Sequence, residues 1–307
     1  MKESRTKIWI ALLVIAIIWM ISFSLSNLLE FDNTPMGNKI VIIPIKGVIT
    51  NSGDSGSLFY EGGTSSETIV SFIEQADRDE SVKGIILEIN SPGGTVLAGK
   101  EIADAVKKTK KPTVALIRDV GASGGYWVAS AADKIVADPM SITGSIGVTS
   151  SYLEFSGLME KYGVTYEELK AGEYKEAGSP FRKLTPAERE SILRMITKIQ
   201  NYFLEDVRKN RNLDEKTIDE LRKADIYLGE EAYNMKLVDY LGGREDAINI
   251  TKQLAGIKDA KLVRYEQRTS ILDILGRISS QTYYNIGRGI GAEIINTGTK
   301  NTLEIRS

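Results

Sequence analysis

The sequence predicts an α/β fold with a buried parallel sheet, preceded by one N-terminal transmembrane helix. Apolar runs alternate with helical patterns between residues 39 and 137, which is typical of βαβ units. Two of these runs end in glycine-rich turns, and the N-terminus carries a long apolar segment without charges. A chain of 307 residues has room for one large domain or two small ones.

The N-terminal segment from Ile8 to Leu29 carries no charged residue and follows three basic residues. About 20 apolar residues span the hydrocarbon core of a bilayer. The positive flank predicts a cytoplasmic N-terminus and an extracytoplasmic body, so that the chain is a single-pass protein of the cell membrane. A cleavable signal peptide is the alternative, although no Ala-x-Ala pattern is present. Residues 1–29 are thus the predicted anchor, and residues 30–38 a polar linker.

The alternating elements follow in order. Strands are expected at residues 39–45, 84–89, 112–117 and 134–137, and helices at residues 66–77, 96–106 and 126–132. The run Gly84–Ile89 is almost wholly apolar, which is typical of a strand that is covered on both faces of the sheet.

A capping box marks the start of a long helix. Thr185 and Glu188 have the capping spacing, and Pro186 stands at the first helical position. The helix is expected to run to about Asn210. Its apolar side chains predict a helix that packs on the core: Leu193, Ile196, Ile199 and Phe203.

Ser123 lies in the second glycine-rich turn, Gly121–Gly125, which follows the strand at 112–117. A serine hydroxyl needs a base to remove its proton before it attacks a carbonyl. The chain has no His and no Cys, so Ser-His-Asp and Cys-His mechanisms are excluded. A base for Ser123 must be a lysine, a carboxylate or an N-terminal amine.

The first glycine-rich turn is Ser91–Thr95, after the strand at 84–89. Both glycine-rich turns are expected beyond the carboxyl ends of their strands, where open α/β sheets bind ligands. Each turn leads into a helix, whose first N–H groups are free to stabilise an oxyanion. We therefore predict that the backbone N–H groups of Gly94 and Gly124 form an oxyanion hole, with Gly93 as the alternative to Gly94. The plainer interpretation is that these glycines only provide turns with positive φ.

Lys175 lies in a polar segment that contains glycine and precedes the capped helix. Most lysines are solvated cations, and a lysine acts as a base only when it is neutral. Its pKa, about 10.4 in water, falls when the amine is desolvated. We expect the neighbouring carboxylates of Glu173 and Glu176 to point away from the amine.

Composition excludes several other functions. The net charge is −2 and no block of basic residues is present, so no nucleic-acid partner is expected. Without His or Cys, a zinc site would need carboxylates alone. We predict neither a metal nor a cofactor.

Five motifs stand in order along the chain: Asn90–Gly94, Gly121–Tyr126, Thr143–Val148, Gly172–Lys175 with Ser179–Phe181, and Gly229–Asp239. Together they resemble the signal peptide peptidase A family, in its short form of Ser-Lys serine proteases, and the resemblance covers roughly residues 39–256. It implies a Clp/crotonase-like fold of repeated ββα units over residues 39–264. Residues 265–307 form a tail of unknown role outside the match.

The resemblance implies Ser123 as nucleophile, Lys175 as general base and Ser145 as the residue that orients the lysine amine. A turn serine is the plainer interpretation of Ser145. The resemblance also implies a homo-oligomeric ring in which adjacent protomers can supply Ser and Lys. Its substrates would be cleaved signal peptides and other unfolded or apolar peptides at the membrane.

Three alternatives stand beside the signal peptide peptidase. A crotonase-like acyl-CoA enzyme also uses a glycine-rich oxyanion hole, although the anchor and the Lys175 segment argue against it. A non-catalytic membrane scaffold could share the fold. A peptidase that cleaves membrane-associated stomatin-like proteins is a variant of the first hypothesis.

Overall fold

The computed structural model describes residues 9, 13–20, 37–52 and 63–266. The chain divides into two compact units, residues 1–263 and residues 264–307. The predicted transmembrane helix, linker and C-terminal tail lie largely outside the described residues. Of the apolar N-terminal segment, Trp9 and residues 13–20 are described and are helical. Within the described ranges, no helix is both long and apolar enough to cross a membrane.

Strands and helices alternate through the first half of the described chain. The strands are β1 (Lys39–Thr50), β2 (Thr64–Ser65), β3 (Val82–Gly94), β4 (Thr113–Ala122), β5 (Lys134–Ala137), β6 (Ile142–Gly144), β7 (Ile226–Leu228), β8 (Tyr240–Leu241) and β9 (Lys261–Arg264). The helices are α1 (Ser66–Arg78), α2 (Val96–Lys108), α3 (Gly124–Ser130), α4 (Ser156–Lys161), α5 (Pro186–Arg211), α6 (Glu215–Leu221), α7 (Gly229–Asn234) and α8 (Arg244–Leu254).

All of these strands belong to one sheet. Its main path has the order β2-β1-β3-β4-β5-β8, and each pairing along this path is parallel. At the carboxyl end of β4, the short strand β6 forms a further parallel pairing, and β7 pairs with β6 in the antiparallel direction. The predicted α/β fold with a parallel sheet is confirmed.

Buried apolar side chains lie on both faces of the central strands. On one face, α8 places Ala247 and Ile250 against a cluster of strand residues: Ile40, Ile42, Ile86, Val114, Leu116 and Val136. Successive strand residues point to opposite faces, so Val41, Ile43 and Leu87 point the other way, and they too are fully buried. The apolar runs therefore belong to strands covered on both faces, as their composition predicts.

Strand β3 extends further than the sequence pattern predicts. Beyond Ile89, it continues to Gly94, because its pairing with β1 resumes after a register shift next to Gly47. Gly47 has a φ of 64°, and its carbonyl oxygen accepts a hydrogen bond of 2.6 Å from Ser91 Oγ. The Ser-Pro-Gly-Gly sequence that indicates a break is thus a bulged continuation of the strand.

The capping box of α5 is confirmed. The Glu188 N–H donates to Thr185 Oγ1 (3.2 Å), and the Thr185 N–H donates to Glu188 Oε2 (2.9 Å). The helix packs on the core only through its C-terminal half, where Phe203 stacks on Trp127 with ring centroids 4.2 Å apart. In the other half, Leu193 is exposed, so the predicted packing face covers only part of α5.

Glu188 is a buried carboxylate at the start of α5 and is 2% exposed. Arg182 donates hydrogen bonds to both of its oxygens, at 2.7 and 2.8 Å. This charge-assisted pair, together with the Thr185 N–H, holds the pKa of Glu188 at about 2, below its usual 4.5. Glu188 therefore stabilises the fold as an anion. The contribution is complete above pH 4.5 and is lost as pH falls toward 2.

We predict that Glu188→Gln lowers the free energy of unfolding at neutral pH. Because Gln cannot ionise, the gap between wild type and variant should be constant above pH 5 and should shrink as pH falls from 4.5 toward 2. Thermal unfolding of both proteins across this range measures the gap. Glu190→Gln, at an exposed position of the same helix, is the control and should stay close to wild type. A gap that persists undiminished at pH 2.5 would contradict the assigned ion pair.

Candidate active site

The two glycine-rich segments that the sequence predicts as turns, and for which that name is kept, lie against each other at the carboxyl ends of β3 and β4. These strands are parallel neighbours, and Ser91 pairs with Gly121. A Cβ atom added at Gly93, which has a φ of 104°, would lie 2.8 Å from both the Gly124 nitrogen and the Ser123 Cβ. The contact is therefore between backbones, and it requires a glycine at position 93.

Ser123 connects β4 to α3 in an unusual backbone conformation, with φ 52° and ψ −125°. A positive φ at a residue other than glycine costs on the order of 1–3 kcal/mol and recurs at functional sites. The Ser123 N–H donates to the Gly144 carbonyl (2.9 Å), and its own carbonyl accepts from the Trp127 N–H (2.9 Å). Both hydrogen bonds hold the strained residue in place at the N-terminus of α3.

The hydrogen bonds of the first turn distinguish Gly93 from Gly94 as a candidate oxyanion donor. The Gly93 N–H donates to the buried Ser91 Oγ (3.1 Å), so that N–H is already engaged. The Gly94 nitrogen faces the other turn, because a Cβ added at Gly124 would lie 3.4 Å from it. This geometry favours Gly94 together with Gly124 over Gly93.

Ser145 lies beside Ser123. Strand β6 pairs with the end of β4 so that Gly144 is the partner of Ala122, and each serine directly follows its paired residue. Ser145 also has a positive φ, of 51°, and its N–H donates to the Asp225 carbonyl (2.7 Å). The structure thus brings together both glycine-rich turns and both serines.

Lys175 lies in the loop between α4 and α5. Its side chain is exposed, and its N–H donates to the Gly172 carbonyl (3.3 Å) in a turn that spans residues 171–178. Across the described residues, no hydrogen bond or ion pair joins the Lys175 amine to Ser123, Ser145 or a carboxylate. In this arrangement the amine is solvated.

The segment that carries Lys175, residues 149–185, contains one short helix, α4, and exposes many large apolar side chains. These are Tyr152, Leu153, Phe155, Leu158, Tyr162, Val164, Tyr166, Leu169, Tyr174 and Phe181. Leu169 is 90% exposed. So many exposed apolar side chains in one segment are typical of a surface that another molecule covers.

Arg182 contacts the segment that carries Lys175, which the sequence did not indicate. Its guanidinium binds Glu188, and its Nε lies 2.9 Å from Glu168 Oε2. Its Nη2 also donates to the carbonyl of Glu176, the residue after Lys175 (3.1 Å). The capping box predicts the position of Glu188 at the start of α5, but no local pattern indicates which cation binds it.

Comparison with known protein families and proteins gives a consistent result. The sequence profile of Peptidase family S49 matches residues 105–258, and that of Clp protease matches residues 61–141. The parallel α/β fold is accordingly Clp-protease-like.

Two curated relatives cover most of the chain. A Methanocaldococcus jannaschii protein named as a protease is 34% identical over 93% of this chain and 94% of its own length. An Enterococcus faecium protein named as a signal peptide peptidase SppA is 36% identical over 76% of this chain and 68% of its own length. Among solved structures, a membrane-bound stomatin-specific protease has a TM-score of 0.49 at 15% identity, over 75% of this chain and 98% of that one. That likeness is too slight to carry an argument.

We predict that Gly93→Ala destabilises the protein by about 2 kcal/mol or more. Alanine is strained at positive φ by about 1–2 kcal/mol, and its methyl group would also push the two turns apart. Thermal or urea unfolding measures the loss. Gly157→Ala is the matched control, because a Cβ there meets no atom within 4 Å and alanine favours the helix α4. Equal stability of the two variants would contradict the close contact of the turns.

Proposed function

The chain belongs to peptidase family S49, and we propose that it is a serine endopeptidase with a Ser123–Lys175 dyad. The observation that carries this proposal is the strained Ser123, held in one glycine-rich turn against the other and next to Ser145. A backbone fixed in this way presents the hydroxyl at the carboxyl edge of a parallel sheet, where substrates of α/β enzymes bind. The absence of His from the chain leaves lysine as the base that fits the family.

The proposed reaction is acyl transfer through Ser123. The neutral Lys175 amine removes the hydroxyl proton as Ser123 Oγ attacks the scissile carbonyl. The N–H groups of Gly94 and Gly124 stabilise the resulting oxyanion. The Lys175 ammonium then protonates the leaving amine, and a water molecule, activated by the same amine, hydrolyses the acyl-enzyme. Ser145 orients the Lys175 amine during these steps.

The exposed position of Lys175 supports completion of the dyad between copies of the chain. A base with a pKa of about 10.4 in water must be desolvated to be neutral near pH 7, and a single chain does not desolvate this amine. The apolar side chains of residues 149–185 and the exposed half of α5 are suited to a second copy. We propose a homo-oligomeric ring in which one protomer contributes Ser123 and its neighbour contributes Lys175.

The proposed location is the membrane surface. Residues 1–29 would anchor the protein with a cytoplasmic N-terminus, residues 30–38 would link the anchor to the peptidase domain (39–264), and the domain would be extracytoplasmic. The proposed substrates are cleaved signal peptides and other unfolded or apolar peptides, as the name of the Enterococcus faecium relative suggests. Protease-named relatives favour this function over acyl-CoA chemistry or a non-catalytic scaffold.

We predict that Ser123→Ala and Lys175→Ala each lower kcat for a fluorogenic peptide by at least about 10³-fold. Removing one member of a catalytic unit costs nearly as much rate as removing the whole unit. Co-expression of the two variants should restore part of the turnover, since a mixed oligomer contains interfaces with an intact Ser and an intact Lys. If either variant alone keeps near-normal turnover, the dyad is wrong. If the mixture stays inactive, the dyad closes within one chain.

We also predict that kcat/KM rises from neutral to alkaline pH, because the lysine base must lose its proton. The profile should be measured between pH 5 and pH 10, with recovery of full activity on return to pH 7 as the control for unfolding. An optimum at acid pH would indicate a carboxylate base and would contradict the assignment of Lys175.

A further inference from the structure

One side chain, Arg182, joins the turn that carries Lys175 to the first turn of α5. Its Nη1 and Nη2 donate to the two oxygens of Glu188, at 2.8 and 2.7 Å. The same Nη2 donates to the backbone carbonyl of Glu176 at 3.1 Å. A single planar group thus binds a helix terminus and the peptide that follows Lys175.

The Glu188 end of this connection is fixed. Glu188 belongs to the capping box of α5, a helix of 26 residues, and its side chain is 2% exposed. The Thr185 N–H and Arg182 together engage its carboxylate. A guanidinium bound to both oxygens of such a carboxylate has a defined orientation, because the fork geometry allows little rotation.

The Lys175 end has few other contacts: the exposed Tyr166 Oη donates to Glu176 Oε2 at 3.4 Å, and the Ser179 N–H donates to the Glu176 carbonyl at 3.0 Å. Residues 171–178 form turns without a regular helix or strand, and two glycines with positive φ, Gly172 and Gly178, flank the lysine. The backbone bonds of Lys175 and Ala177 reach back only to Gly172 and Tyr174. The bond from Arg182 to the Glu176 carbonyl connects this turn to a long helix.

We propose that Arg182 is a positioning residue that fixes the Lys175 turn on α5, so that the amine reaches Ser123 in a productive geometry. Arg182 touches neither substrate nor the reacting atoms and acts only through Lys175. The inference therefore rests on the proposed Ser-Lys function, and it adds a residue outside the dyad on which the rate depends.

The chemistry of this junction requires arginine. Lysine could keep an ion pair with Glu188, but an ammonium is a point charge that cannot bind two carboxylate oxygens and a carbonyl in one plane. A second carboxylate, Glu168, lies beside Arg182 and is itself paired with Lys170 at 2.5 Å. The site therefore stays charge-balanced when arginine is replaced by lysine, and geometry is the property that changes.

The test compares Arg182→Lys and Glu188→Gln in the full-length oligomer, with Arg189→Gln as the matched control. Arg189 is an exposed cation on the same helix turn. A displacement of the base by about 1 Å can cost about 10²-fold in rate. We expect Arg182→Lys to lower kcat for a fluorogenic peptide about 10–100-fold, with KM within about twofold of wild type. Glu188→Gln should lower kcat in the same way, and Arg189→Gln should not.

Two controls separate positioning from folding and from the dyad itself. Hydrogen exchange of residues 172–179 should accelerate in Arg182→Lys while exchange in the body of α5 is unchanged. If Arg182→Lys keeps kcat within about twofold of wild type, or if kcat, KM and the unfolding temperature all change together, the positioning role is wrong. If Lys175→Ala is fully active, the proposed dyad fails instead. If Lys175→Ala is inactive and Arg182→Lys is active, the positioning role is wrong and the proposed dyad is unaffected.

Discussion

The close backbone contact between the two glycine-rich turns is the constraint on which the candidate site depends. Parallel pairing of β3 with β4 brings Gly93 against Ser123 and Gly124, and only a residue without a Cβ fits there. Strand β6 pairs with the end of β4 in the same sheet, and this pairing places Ser145 beside Ser123. The sheet register thereby determines the backbone positions of the proposed nucleophile Ser123, of Ser145 and of the candidate oxyanion donors Gly94 and Gly124.

The second constraint is the solvation of the proposed lysine base, because the pKa of a lysine amine falls only when the amine is desolvated. A histidine can act as a base near neutral pH in water, whereas a lysine must be transferred to an apolar environment. In a single chain, residues 149–185 carry many apolar side chains, but these side chains and Lys175 itself are exposed. Under the proposed mechanism, catalysis by Lys175 depends on association of copies of the chain, and the position of its turn depends on the junction at Arg182 and Glu188.

Elements with local signals could be predicted from the sequence. The central strands are recognisable from apolar runs, and Thr185, Pro186 and Glu188 define the start of α5 because capping uses contacts within four residues. The extension of β3 to Gly94 could not be predicted, since it depends on a register shift beside Gly47 on another strand. The exposure of Leu193 was missed because an apolar helix face does not indicate whether its partner lies in the same chain. Arg182 was missed because its contacts converge only in three dimensions. The glycine-rich turn indicates Ser123 as a candidate nucleophile, whereas the proposed roles of Lys175 and Ser145 rest on the family resemblance.

The central claim is that Ser123 is a nucleophile activated by Lys175, and covalent labelling tests it most directly. A fluorophosphonate forms an adduct with an activated serine, and mass spectrometry of the digested protein locates that adduct. The expected result is an adduct on Ser123 alone, with labelling lost in Lys175→Met, a variant that keeps the length of the side chain but has no amine. An adduct on Ser145 or on another serine, or unchanged labelling of Ser123 in Lys175→Met, would contradict the claim.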